Sequence, residues 1–434
     1  MLRNSRLSII SLVLLFLVTG CEEKTIVKRK FEVNKPVYLP YDEVDEEIKS
    51  KSPQPLENPG KIYIYGNKLL INEKGKGIHV VDNSDPSNPS KTCFLKIPGN
   101  LEMSVRSNIL YADNYANLVV MDISDCNNPK VLATIDSTFT YTVPATNNNN
   151  KTLEIDKDSG IVIDWEVVEV TEKEVLDETN SNNNVRRGVN AFSMSSNSSG
   201  KSADISTNLG DGHVTGMGGS LARFTINNKH LYALKGEELI SYDLATQKPQ
   251  VKERVTLSSN AETLFPYKDH LLIGTTTGML TYDVSDPGSP VYNSQFSHIR
   301  GCDPVVAEND RAYVTIRGGS ICRNNVNRLD VLDISNIDNP NLIKSYEMTE
   351  PWGLGIDNDT LFVTEGDHGL KVYNAKDPNN VTDNKIDDFS SVHLFDVIPY
   401  NGNLIATGNN GIIQYSYDSG NGIEKVSEIN AISN

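Results

Sequence analysis

An all-β fold, a seven-bladed β-propeller of four-stranded blades, is what this sequence predicts. Three observations carry the prediction over the 434 residues. A block recurs at a period of about 42 residues. Apolar runs rich in β-branched and aromatic residues lack helical periodicity. Gly, Asn, Asp and Pro punctuate every run, as tight turns require.

The N-terminus reads as an address. Arg3 and Arg6 precede the apolar run Leu7–Val18. That run falls short of the roughly 20 residues that span a bilayer but suits a signal peptide. It ends Val18-Thr19-Gly20-Cys21, which resembles a bacterial lipobox. The resemblance implies a lipoprotein signal peptide over residues 1–20 and lipid attachment at Cys21, with palmitate among the acyl chains. Several chains anchor far more firmly than one. Loss of Arg3 and Arg6 takes the formal net charge from -17 to -19. Acidic Glu22 and Glu23 follow the cysteine, a pattern that accompanies surface export in some Gram-negative groups. The expected location is the outer membrane, lipid-anchored, on its cell-surface or periplasmic face.

Residues 21–60 hold Pro36, Pro40, Pro53, Pro55 and Pro59 and one acidic stretch, Tyr41–Ile48. They predict a semi-stiff tether with at most a short helical turn.

The repeat then runs over 61–434. Gly77-Ile-His-Val-Val-Asp82 is followed by NSDPSNP, Asn117-Leu-Val-Val-Met-Asp122 by ISDCNNP, and Gly278-Met-Leu-Thr-Tyr-Asp283 by VSDPGSP. Further copies end at Asp243, Asp333, Asn374 and Ser416. These ends are 40, 121, 40, 50, 41 and 42 residues apart. The long interval is one period plus an insertion of about 80 residues, near 139–218, between blades 2 and 3. A strand before each copy and a Pro-containing turn and strand after it give four strands per period, a propeller blade. The blocks GIHVVDNSDPSNP, NLVVMDISDCNNP and RLDVLDISNIDNP resemble LVIVD repeats. From about residue 57 the chain is similar to the lipobox-bearing LVIVD-repeat β-propeller lipoproteins. That family implies the fold and no activity.

With strands A to D running outward from the channel, the repeated Asp residues end strand C. They all fall at C–D turns. There they could offer oxygens to calcium, but Asp accepting backbone N–H groups in a Pro-set turn accounts for them first. The irregular loops, D–A and B–C, lie on the opposite face. Glu262, Arg300, Asp303, Arg317, Glu365 and His368 form the candidate binding face there, with Glu73, Asp113, His298 and Asp367 nearby. Trp352 and Phe265 sit near strand A and read as core. In the insertion, Leu153–Val170 alternates across a Lys157–Gly160 turn, predicting a hairpin with one buried face. Residues 180–219 are poor in large apolar side chains, predicting a loop over the working face. Cys302 and Cys322 fall in loops of one blade, so a disulfide is expected, closing about 20 residues. Cys93 and Cys126, in adjacent blades, could pair as well.

Function is bounded more by exclusion. The acidic balance argues against a nucleic-acid partner. No zinc, P-loop or nucleophile-elbow spacing occurs, so no cofactor, no metal and no catalytic residue is assigned. A monomeric, non-catalytic binding scaffold for a protein or glycan partner is the leading expectation. The alternative is a hydrolase with Glu262, Asp303 and Glu365 at the channel mouth. Fold cannot choose between them.

Overall fold

The computed structural model describes residues 25–139, 143–146, 148–176, 215–301, 304–319, 325–418 and 422–432. The signal peptide, Cys21, Asp303, Cys302 and Cys322 lie outside these residues. The chain divides into two compact units, residues 1–38 with 144–202, and 39–143 with 203–434.

The smaller unit carries β1 (Thr25–Leu39), a 15-residue strand. The larger unit begins with β2 (Lys49–Lys51) and a first sheet of β3 (Pro59–Tyr65), β4 (Lys68–Glu73), β5 (Gly77–Asp82) and β6 (Ser90–Lys96). The second sheet is β7 (Met103–Arg106), β8 (Ile109–Asn114), β9 (Asn117–Asp122) and β10 (Lys130–Ile135). The smaller unit then supplies β11 (Lys151–Thr152) and β12 (Ile161–Leu176). After β13 (Met217–Gly218), the third sheet holds β14 (Phe224–Asn227), β15 (His230–Lys235), β16 (Glu238–Asp243) and β17 (Gln250–Thr256). The fourth holds β18 (Ala261–Tyr267), β19 (His270–Thr275), β20 (Gly278–Asp283) and β21 (Val291–Ser297). The fifth holds β22 (Val305–Glu308), β23 (Arg311–Ile316), β24 (Arg328–Asp333) and β25 (Asn341–Glu347). The sixth holds β26 (Leu354–Asp357), β27 (Thr360–Thr364), β28 (Leu370–Asn374) and β29 (Lys385–Phe389). The seventh holds β30 (Asp396–Tyr400), β31 (Asn403–Gly408), β32 (Gly411–Tyr417) and β33 (Ile423–Asn430). Helix among the described residues amounts to two three-residue 3-10 turns, Tyr41–Glu43 and Thr382–Asn384.

Each sheet is an antiparallel meander whose first strand touches the first strand of the next, and β30 returns to β3. A separate apolar cluster fills every seam, including the one joining seventh to first through Ile398, Ile405, Ile62 and Leu69. Middle strands are buried on both faces, so their sequence reads as continuous apolar runs: Leu69, Leu70 and Ile71 are all fully buried. The turns from first to second strand use left-handed residues, as at Asn309–Asp310 (φ 49° and 60°) and Asn358–Asp359 (φ 48° and 59°). Two successive positive φ values match the twist of a hairpin. Those turns and the third-to-fourth-strand turns share one face of the ring, the turn face. The remaining connections share the other, the loop face.

Three departures from the sequence reading concern the excursions. The strand β1 occupies residues 25–39 of the expected tether, and its partners are β11 and β12. The hairpin expected around Lys157–Gly160 forms one strand only: β12 pairs with β1 rather than with residues 153–156. Its alternation buries no continuous face, since Ile163 and Val167 stay exposed. Lastly, the end of the Gly-rich stretch 180–219 is no surface loop. The strand β13 pairs antiparallel with the inner edge of β3, Met217 opposite Ile64 and Gly218 opposite Tyr63. It enters beside Arg106, at the turn-face end of β7, and leaves at Ser220 beside Asp396, at the loop-face end of β30. The chain therefore threads the channel along its length. Gly219 fits only without a side chain, because a Cβ there would lie 2.0 Å from Asp396 Oδ2.

Candidate functional site at the channel mouth

The repeated Asp residues are consumed by their own turns. Asp82, Asp122, Asp243, Asp283 and Asp333 each accept, through Oδ1, the N–H of the residue two positions on. The turns then dock on the preceding sheet. Pro86 O receives Ser427 Oγ, Pro287 O receives Tyr232 Oη, and Pro378 O receives Tyr346 Oη. One motif thus closes a turn and locks a seam, which is a scaffold role.

Several polar residues of the loop face are also scaffold. Glu73 accepts the backbone N–H groups of Glu57 and Asn58 and contacts His79 Nε2 at 3.0 Å. Asp113 Oδ1 accepts the N–H groups of Leu101 and Glu102. Glu365, buried at 2% exposure, accepts the N–H of Thr349. All three lie at the loop-face end of a second strand, within one residue of its last position, and pin the loop that feeds the sheet. Burial drives the Asp113 carboxyl up to about 7 against those hydrogen bonds.

The residues that do meet at the mouth are Glu262 and Arg317, joined by Lys61 and Trp352. With Leu221, Thr263, Pro304 and Pro351 they line a cavity of about 300 Å³. The Arg317 guanidinium carbon lies 3.2 Å from the centre of the half-buried Trp352 ring, a cation–π stack. Burial pulls Arg317 below the usual guanidinium range, while Glu350 and Glu262 act the other way. Trp352 is therefore a wall of the mouth rather than the core residue expected from its sequence position. His368 is exposed and lines an adjoining depression with Thr349, Glu350 and Asn327. Arg300 is exposed on the loop feeding the fifth sheet.

Strand register explains the mouth. Counting back from each first turn, Lys61, Glu102, Thr263 and Asp396 occupy equivalent positions on β3, the residue before β7, β18 and β30. Lys61 pairs with Glu102, whose other oxygen accepts Arg223 N–H. Asp396 is fully buried below them and accepts Ser220 Oγ at 2.9 Å and Val397 N–H at 3.0 Å. Desolvation raises its carboxyl to about 6. Aligning the repeats on their first turns would have exposed this ring. The repeated third-strand motif lies at the opposite, turn-face end of the sheet.

Recurring turns, antiparallel sheets and a closed seam define a propeller-like repeat fold. Within that class the chain carries LVIVD repeats, which match residues 59–92, 103–136 and 323–348. A protein from Lactobacillus plantarum is similar in structure, with TM-score 0.54 and 10% identity over 86% of this chain and 97% of that one. One from Desulfotomaculum acetoxidans gives TM-score 0.45 and 9% identity over 86% and 97%. BamB from Moraxella catarrhalis gives 0.43 and 9% over 89% and 91%. No curated protein matches the sequence.

Proposed function

We propose that this protein is an exported, lipid-anchored seven-bladed β-propeller that binds a protein or glycan partner non-catalytically through its channel mouth. Six four-stranded sheets, a first sheet whose four strands are extended by β2 and β13, and the apolar seam returning the last to the first support the blade count. The lipobox-like end of the signal run supports the anchor at Cys21. The observation that carries the binding reading is the cavity in which Arg317 stacks on Trp352 beside Glu262. It offers an apolar wall and charges of both signs on a rigid frame. The hydrolase reading needs Glu365 available, and Glu365 is buried on Thr349 N–H.

The chain holds two tryptophans, so Trp165→Phe leaves Trp352 as the sole reporter. Titrating that variant with solubilised envelope proteins, and separately with envelope glycans, should shift Trp352 emission saturably in one series. Arg317→Ala should weaken that binding about tenfold, a loss near 1.4 kcal/mol. Binding seen by another method with silent Trp352 emission would move the site off the mouth. For the anchor, Cys21→Ser should release the protein into the soluble fraction. Retention of that variant on membranes without detergent would refute lipid attachment.

A further inference from the structure

Below the mouth, the channel holds a second cavity of about 280 Å³. Six sheets contribute walls to it, through Tyr63, Phe224, Leu264, Val306, Leu354 and Val397 among others. The remaining wall is the threading segment, whose Met217 is 47% exposed inside the ring. An apolar side chain with that much free surface marks space that the protein's own atoms do not fill.

The polar groups at this cavity are largely engaged. Ser220 donates to Asp396 and accepts Leu354 N–H. Asp357 accepts Tyr417 Oη at 2.8 Å. The threading backbone is tied down too: Gly216 N–H donates to Val105 O and Ala222 O accepts Leu264 N–H.

The cavity follows the inner strands, lined from Ser220 and Ala222 near the mouth to Asp357 and Pro399 beside the first turns. Glu262 and Arg317 line a different cavity.

We infer that this cavity is a binding site for a short uncharged aliphatic chain. The walls supply contact area, and the volume of about 280 Å³ limits chain length. Mostly apolar, pre-formed cavities with few polar groups are the usual form of small-molecule sites.

The test uses the purified full chain and N-phenyl-1-naphthylamine, an uncharged fluorescent probe. Its emission should rise saturably with one site per chain. Unbranched alcohols of increasing length should displace it, gaining about fourfold in affinity per methylene until the chain outgrows the cavity. Met217→Trp should weaken probe binding at least tenfold, whereas Trp352→Ala at the mouth should leave it unchanged. Three results would each overturn the inference: no saturable binding, no dependence on alcohol length, or loss of binding in Trp352→Ala with Met217→Trp unaffected. Should Met217→Trp fail to melt cooperatively, the alcohol series on the native chain decides alone.

Discussion

Asp283 and Asp396 are both carboxylates of the same repeat fold, and their environments set them opposite tasks. Asp283 accepts Ser285 N–H in a turn, and hydrogen bonding from Ser285 holds its carboxyl below the ordinary range. Asp283→Ala should cost about 1 kcal/mol and lower Tm by a few degrees, with binding intact. Asp396 and Asp113 are raised instead, to about 6 and about 7, chiefly by desolvation. A carboxyl whose pKa is higher folded than unfolded favours the folded state when protonated. Its contribution is complete below about pH 4 and declines as pH rises, through 6 for Asp396 and through 7 for Asp113. Denaturation of wild type and Asp396→Asn from pH 4 to 8 should therefore show a stability difference that changes by roughly 3 kcal/mol across that window. A difference independent of pH would contradict this assignment. The turn residues were legible in the sequence because an Asp accepting the N–H two residues on is local chemistry. Lys61, Asp396 and Trp352 were not, because the mouth depends on register between strands hundreds of residues apart.

Elements divide along the same line. The ring strands could be read directly, since apolar runs between Asn, Asp and Gly turns leave few alternatives. What escaped was pairing over distance. The partner of β1 lies in the insertion, and β13 is a Gly-rich stretch whose role comes from the channel around it. A further hidden regularity is a bulge in every third-to-fourth-strand pair, as between Val80 and Val81, Ser241 and Tyr242, and Val331 and Leu332. Each bulge adds twist at the outer edge, which suits strands splayed from an axis. Across the first seam, Cys93 of β6 and Cys126 after β9 form a disulfide closing 33 residues. Chain entropy alone assigns such a bridge about 4 kcal/mol. Replacing both cysteines by Ser should lower stability by up to that amount in chemical denaturation. Unchanged stability would mean the seam holds without it. Peptide mapping without reductant would also test the expected Cys302–Cys322 pair.

At the scale of the molecule, closure is achieved without exchange of strands. Strands β3–β6 of the first sheet and β30–β33 of the seventh each come from one continuous stretch, and the seam between them is tied from several sides. Ile432 N–H donates to Leu56 O, Thr407 Oγ1 donates to Gly60 O, and Asn83 and Gln414 exchange amide hydrogen bonds. Leu56 is fully buried in that seam. Leu56→Ala should cost 2 to 5 kcal/mol, the usual range for such a core truncation; a cost under about 1 kcal/mol in urea denaturation would show that the seam is not a weak point of the ring. The turn face repeats one motif that is spent on the scaffold, while the loop face gathers side chains from different sheets around the mouth. The central claim, that the partner is held at the mouth, is tested most directly by site-specific photo-crosslinking in intact cells. A photoreactive phenylalanine analogue at Glu262 or Thr263 should capture one discrete partner, and the same group at Asp243 or Asp333 should not. Capture of that partner from the turn positions, with the mouth positions silent, would contradict the account.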